Sequence, residues 1–181
     1  MITTYLIISH LISDFILQPK RLVQWKIKSM LGILVHVLIV GLVSIIVLYP
    51  YINYYQFWIV ILLIGIVHFF TDQAKINIEL KRDASDIPFI ADQGIHFLSL
   101  ILAGHMLDTV LNINLTACYL WFDTCVYQNL SLWIAILIMI YLVYCVKIAL
   151  MHKTRPTIYK KILIFSLVYL VYFGTVLVVF K

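Results

Sequence analysis

Residues 30–50, which read MLGILVHVLIVGLVSIIVLYP, form one uninterrupted apolar run without Asp, Glu, Lys or Arg. A run of about 20 apolar residues matches the hydrocarbon thickness of a bilayer, where a helix satisfies its own backbone hydrogen bonds. The run therefore predicts a transmembrane α-helix. His36 lies inside it and needs a separate explanation.

The composition of the whole chain agrees with a membrane protein. Of its 181 residues, 64% are hydrophobic and 12% are charged. The mean hydropathy of +1.06 lies outside the range of soluble domains. We predict an all-α, polytopic membrane helical bundle of about six transmembrane helices, forming a single membrane domain. The predicted spans are residues 2–18, 30–50, 56–77, 88–111, 130–150 and 158–180.

Lysine and arginine are concentrated in alternate loops. All except Lys181, which sits at the other end, lie in or beside the first, third and fifth predicted loops, whereas the second and fourth loops carry none. By the positive-inside rule the basic loops are cytoplasmic, which predicts that both termini are outside. The net charge of +5 is explained by this topology, so no nucleic-acid partner is expected. The first span lacks the basic start and cleavage site of a signal peptide.

Two segments of the chain share one pattern. Residues 9–14 read SHLISD and residues 67–72 read VHFFTD, so both contain H-φ-φ-[ST]-D with φ apolar. A basic loop and a returning helix with another His follow each segment, and the His residues are separated by 26 and 28 positions. We interpret this as a helical hairpin used twice in the same orientation. It makes 1–111 a four-helix core with a polar site, and 112–181 an outer loop with two further helices.

Polar side chains within the first four spans form the candidate site. An Asp at the middle of a membrane helix costs about 2.5–3.5 kcal/mol, so such residues are usually paired or functional. Three His–Asp pairs are four residues apart and share one helix face. At about 1.5 Å per residue, the four His lie roughly 9–14 Å below the cytoplasmic helix ends. The predicted metal ligands are His10, Asp14, His36, His68, Asp72, Asp92 and His96.

This mixture of ligands predicts the kind of metal. Imidazoles with carboxylates favour Zn²⁺, Mn²⁺ or Fe²⁺ over Mg²⁺ and Ca²⁺, and we expect Zn²⁺ first. The set would suffice for two ions, or for one ion with carboxylates holding the His rings. Asp14 or Asp92 is predicted to act as a catalytic general base.

Neighbouring polar residues extend the same helix faces. Gln18, Lys75 and Gln93 are assigned to substrate binding or to support of the ligands. Lys75 is expected to pair with Asp72 or Glu79, with an anionic substrate group as the alternative partner.

Other polar residues are predicted to lie outside the site. His105, Asp108 and His152 are interpreted as structural or solvated. The hydroxyls of Ser9, Ser13 and Thr71 are expected to bond within their helices. Cys118 and Cys125 form a disulfide or stay free, and Cys145 packs in a span.

The motifs His10-x3-Asp14-Phe15-x2-Gln18, His68-x3-Asp72 and Asp92-Gln93-x2-His96 resemble those of a family of small bacterial multi-pass membrane proteins. That family is a domain of unknown function, and the resemblance covers roughly residues 1–110. It is more distantly similar to LexA-regulated inner-membrane proteins described as metal-dependent hydrolases. The resemblance implies a bacterial cytoplasmic (inner) membrane and hydrolase chemistry.

Three functions are compatible with these residues. The first is a metal-dependent hydrolase acting on a membrane or lipid-like substrate. The second is a metal-ion or proton transporter, because His and Asp within spans also mark ion pathways. The third is a non-catalytic assembly or sensor protein in which the polar cluster packs helices together. H-E-x-x-H, G-x-S-x-G and P-loop motifs are absent from the sequence.

Overall fold

The fold is helical throughout the residues that the computed structural model describes. These are residues 2–80, 87–110 and 155–179, with scattered positions between 134 and 144, and they contain no strand. The chain divides into two compact units, residues 1–112 and 113–181. In the first unit the helices are α1 (Ile2–Leu11), α2 (Lys20–Lys28), α3 (Met30–Val47), α4 (Tyr55–Glu79) and α5 (Ile87–Val110).

Three of the predicted spans coincide with helices long and apolar enough to cross a membrane. They are Met30–Val47, Tyr55–Glu79 and Ile87–Thr109, and they match the second, third and fourth predicted spans. The membrane character of the chain is thereby supported, whereas six spans are not confirmed. The first span differs from the expectation, because α1 continues only as one π-helical segment, Ile12–Ile16, and the apolar helix is 2–16.

The helices of the first unit pack in a closed ring. Helix α1 packs on α3 and α5, and α4 also packs on α3 and α5. Every residue of α1 is buried, including the polar Thr3, Thr4, Ser9 and His10. A duplicated hairpin would give this arrangement, since exchanging the pairs α1–α3 and α4–α5 leaves the neighbours unchanged. The duplication itself stays a prediction.

The π-helical segment sets the position of Asp14. Its backbone bond runs from Leu17 N–H to the Ile12 carbonyl at 2.9 Å, five residues back instead of four. Such segments are rare and occur frequently at functional sites. Pro19 follows and cannot continue the hydrogen-bond ladder, so the chain turns into α2 at Lys20.

Helix α2 folds back tightly on α3. Ser29 is the single residue between them, and its Oγ accepts a hydrogen bond from Leu31 N–H at 3.2 Å. Gly32 permits the close approach, because a Cβ there would lie 2.5 Å from the Trp25 carbonyl carbon and 2.6 Å from the Lys26 nitrogen. This segment was predicted only as a basic loop, and the observed helix α2 corrects that prediction.

In the second unit, α6 (Arg155–Val179) carries the described core. Among its described residues, the apolar stretch is Ile162–Gly174. Phe165 stacks on Tyr141 with ring centroids 5.7 Å apart, and the Tyr169 hydroxyl donates a hydrogen bond to the Leu137 carbonyl. The predicted fifth span lies mostly outside the described residues.

We expect Gly32→Ala to destabilise the first unit by about 1–3 kcal/mol, because overpacking at the α2 backbone forces the helices apart. The matched control is Gly41→Ala in the same helix, where a Cβ meets nothing within 4 Å. That change should be neutral or stabilising by about 0.5–1 kcal/mol. Thermal unfolding in detergent measures both. Equal stability of the two variants would contradict the close approach.

Candidate metal centre

Seven side chains from four helices and the π-helical segment meet in one buried cluster. Each of them is at most 8% exposed. Helix α1 contributes His10, the π-helical segment Asp14, α3 His36, α4 His68 and Asp72, and α5 Asp92 and His96. These are the seven residues predicted from the sequence. The structure brings them together, and their role as metal ligands stays a prediction.

His68 lies at the middle of the four imidazole rings. Its ring centroid is 4.0 Å from that of His96, 4.9 Å from His36 and 5.5 Å from His10. The rings of His10 and His96 are 5.1 Å apart. The four imidazole rings therefore lie on facing surfaces of four helices, at one level of the bundle.

The donor atoms around Asp14 have the spacing of a metal site. Asp14 Oδ1 lies 3.2 Å from His36 Nε2 and 3.6 Å from His68 Nε2. The two Nε2 atoms are 3.0 Å apart. Tetrahedral zinc with bonds of about 2.0–2.1 Å separates its ligand atoms by about 3.3 Å. The triangle therefore has the size of one face of a zinc tetrahedron, and His10 Nδ1, 3.7 Å from Asp14 Oδ1, lies beside it.

The cluster continues beyond this triangle. Three overlapping groups each bring their donor atoms within 4.8 Å of one another. The groups are His10, Asp14 and His68; His36, His68 and Asp72; and Asp72, Asp92 and His96. Because neighbouring groups share a residue, the donors form one continuous series that fits either one or two ions.

Several donor atoms of the cluster lack hydrogen bonds. Among the described residues, Asp14 Oδ1, Asp92 Oδ1 and His96 Nε2 are buried without a hydrogen bond of good geometry, although each has an ionisable neighbour within 3.3 Å. A buried polar atom left in this state is costly and calls for an explanation such as an ion. The residues present therefore fit a divalent transition metal.

Lys26 is part of the cluster, which the sequence analysis missed. Its ammonium lies 2.5 Å from Asp72 Oδ2, and the side chain is only 8% exposed. From the sequence, this lysine was interpreted as one of the basic residues of the first loop that set the membrane topology. Only the four-residue spacing of Leu22 and Lys26 in the sequence could have indicated that they share one helix face. They are the buried residues of α2.

Lys75 pairs with a different carboxylate from those expected. Its Nζ lies 2.9 Å from Asp92 Oδ2, and not on Asp72 or Glu79 as predicted. The Gln93 amide also donates to Asp92 Oδ2, at 3.1 Å. The correction follows from the packing of α4 on α5, because cross-helix partners are not visible in the spacing along one helix.

Gln18 and the hydroxyl residues take supporting positions. The Gln18 amide nitrogen lies 3.1 and 3.3 Å from the two ring nitrogens of His36. Ser9 and Ser13 each donate to the carbonyl four residues back at 2.7 Å, and Thr71 does the same. The prediction that these hydroxyls bond within their helices is confirmed.

Residues that were placed outside the site stay away from the cluster where they are described. His105 and Asp108 lie on the exposed part of α5. His152, Cys118, Cys125 and Cys145 lie outside the described residues, so their predicted roles stay predictions.

The two hairpins differ at one position beside the site. Aligning His36 with His96 puts Gly32 opposite Asp92, four residues before the His in each helix. Helix α5 thus presents a carboxylate where α3 presents space for the α2 backbone. The close approach of α2 at Gly32 lets Lys26 reach Asp72. At this position the first hairpin therefore supplies the Lys26 ammonium, and the second supplies the Asp92 carboxylate.

We expect Lys26→Met to destabilise the metal-free protein by about 3–5 kcal/mol, because Asp72 would keep a buried charge without its partner. The measurement is thermal unfolding after chelator treatment. Lys28→Met, an exposed position in the same helix, is the control and should unfold like wild type. Adding Asp72→Asn to Lys26→Met should restore most of the loss. A single variant as stable as the control would show that the ion pair is unimportant.

Comparison with known proteins relates the chain to a family. No curated protein and no solved structure matches it. A family model described as "Protein of unknown function (DUF3307)" matches residues 2–123, about two thirds of the chain, including all seven cluster residues. The expected membership of an uncharacterised family is confirmed, whereas the similarity to LexA-regulated proteins stays a prediction. The chain belongs to the DUF3307 family of proteins of unknown function.

Proposed function

We propose that this protein is a membrane-embedded, metal-dependent hydrolase. The observation that carries the proposal is the buried series of three overlapping His/Asp groups, which is built from three helices of membrane-spanning character and the shorter apolar helix 2–16. Ionisable residues at such depth are rare unless they pair or function. Four imidazoles with three carboxylates suit a divalent transition metal, and zinc best.

The ligands nearest the proposed ion are those around Asp14. Asp14, His36 and His68 offer donor atoms at 3.0–3.6 Å from one another, with His10 adjoining. In the described contacts Asp14 meets only His side chains, whereas Asp72 and Asp92 each meet a lysine. A cation is therefore most needed at Asp14, and we assign this carboxylate to metal binding.

The chemistry would divide between the ion and the second hairpin. A divalent transition metal acts as a Lewis acid on a carbonyl or phosphoryl oxygen and makes water acidic enough to attack near neutral pH. Asp92 is the general base in this proposal, because Gln93 and His96 fix its carboxylate. Lys75 orients the same carboxylate and offers a positive charge to a developing oxyanion.

The membrane setting indicates the kind of substrate. A site inside a helical bundle, several residues below the ends of α3, α4 and α5, would act on esters, amides or phosphates of lipid-like molecules. The alternating basic loops favour a position near the cytoplasmic face, and the family resemblance implies a bacterial inner membrane. This orientation is part of the proposal.

A transport pathway has less support in the described helices. Beyond the cluster toward the start of α1, the buried polar residues are Thr3, Thr4, Tyr5 and Ser9, without a buried charged side chain. On α3, Ser44 is buried, but its hydroxyl donates to its own helix, to Val40. In the part of the chain that the structure describes, buried carboxylate and imidazole side chains therefore end at the cluster.

Metal analysis of protein purified without chelators or an affinity metal column tests the site. We expect one or two equivalents of zinc, manganese or iron in wild type. His36→Ala and His68→Ala should lose this metal, because each removes an atom of the closest donor triangle. His105→Ala, at an exposed position of α5, should retain it. If wild type holds no metal even after it is reconstituted with zinc, the proposal is wrong.

Activity assays separate hydrolysis from transport. Asp92→Asn should retain the metal but lose hydrolysis in a screen of lipid esters, amides and phosphates, because the base is removed while the Asp14 triangle is kept. The loss should be on the order of 10²–10⁴-fold, as for other general bases. Metal flux into proteoliposomes with no hydrolysis of any substrate would instead favour the transporter.

A further inference from the structure

A cavity of about 270 Å³ lies between α4 and α5. Apolar side chains form most of its wall, among them Phe70 and Ile78 on α4 and Pro88 and Ile95 on α5. Phe70 is 65% exposed, Ile78 42% and Ile95 50%. The cavity is therefore an apolar groove on the outer side of this helix pair, which in a membrane meets lipid.

The inner end of the groove reaches the metal-binding cluster. Asp92 lines the groove and belongs to the donor group with Asp72 and His96. Lys75 lines it as well, and its ammonium lies 5.3 Å from the centre of the Phe89 ring. The groove is thus lined by apolar side chains together with the Lys75–Asp92 ion pair.

The two charged groups in the groove differ in accessibility. The Lys75 side chain is 21% exposed and the Asp92 side chain only 1%. A molecule in the groove consequently meets the Lys75 side chain before the Asp92 carboxylate. Since an ammonium binds phosphate and carboxylate oxygens as a point charge, the polar part of that molecule should be anionic.

We propose that the α4–α5 groove binds an acyl chain of an anionic membrane lipid and brings its head group to Lys75. The inference deepens the proposed function and rests on it for the reaction that follows. Lateral entry from the bilayer suits such a ligand, because its chain never has to leave an apolar environment. The groove is slightly smaller than the pockets that enclose whole drug-sized ligands, as expected when part of the lipid stays in the membrane.

Photocrosslinking locates the lipid. The protein is reconstituted in phosphatidylcholine nanodiscs with a trace of phosphatidylglycerol that carries a diazirine in its acyl chain. After irradiation, labelled peptides are mapped by mass spectrometry. We expect labelling concentrated on residues 70–78 and 88–95. Excess unlabelled phosphatidylglycerol should displace it, whereas inorganic phosphate should not, because the acyl chain contributes the binding.

Groove variants provide the controls. Ala74→Trp and Ala91→Trp place a bulky ring at exposed positions of the groove wall and should abolish the concentrated labelling. Leu62→Trp, on the exposed side of α4 outside the groove, should leave it unchanged. Lys75→Met should remove the preference for phosphatidylglycerol over a diazirine phosphatidylcholine. The proposal would be overturned if labelling were spread over all exposed helix faces, or if Ala74→Trp and Ala91→Trp left it unchanged.

Metal content of the same samples reports separately on the proposed function. Ala74→Trp should keep its metal while losing the lipid, because the side chain is exposed and lies outside the donor groups. Groove labelling in wild type that holds no metal would support the lipid site and remove the hydrolase. Wild type that holds metal but shows no groove labelling would support the metal site and remove the lipid site.

Discussion

The burial of three carboxylates inside an apolar helical unit is the constraint on which the rest of the site depends. Each charge removed from water costs several kcal/mol unless it is paired and hydrogen-bonded. Asp72 meets this demand through Lys26, and Asp92 through Lys75. Asp14 is surrounded by the rings of His10, His36 and His68, so its charge is balanced only if a ring is protonated or a cation binds.

Much of this arrangement was visible in the sequence, because it depends on regular spacing. Long apolar runs predicted α3, α4 and α5 within a few residues, since the length of a span is set by the bilayer. The four-residue steps from His68 to Asp72 and from Asp92 to His96 predicted shared helix faces. A common depth in neighbouring helices then predicted one cluster, and the structure brings these side chains together.

Contacts that depend on how helices cross were not predictable from spacing. The reach of Lys26 to Asp72 requires that α2 is helical, turns back at Ser29 and approaches α3 at Gly32. Periodicity describes none of these, because the α2 segment is short and basic and was interpreted as a loop. For the same reason, the partner of Lys75 was expected on its own helix. The packing of α4 on α5 instead pairs it with Asp92.

The difference between the two hairpins links the charge balance to function. With neutral His rings, the two lysines offset two of the three carboxylates and one negative charge stays at Asp14. A divalent cation there would leave the cluster positive, which favours an anionic substrate over a neutral one. The partly exposed Lys75 at the end of the apolar groove has the same preference. Charge balance in the buried site and access through the groove thus favour the same class of molecule, an anionic lipid.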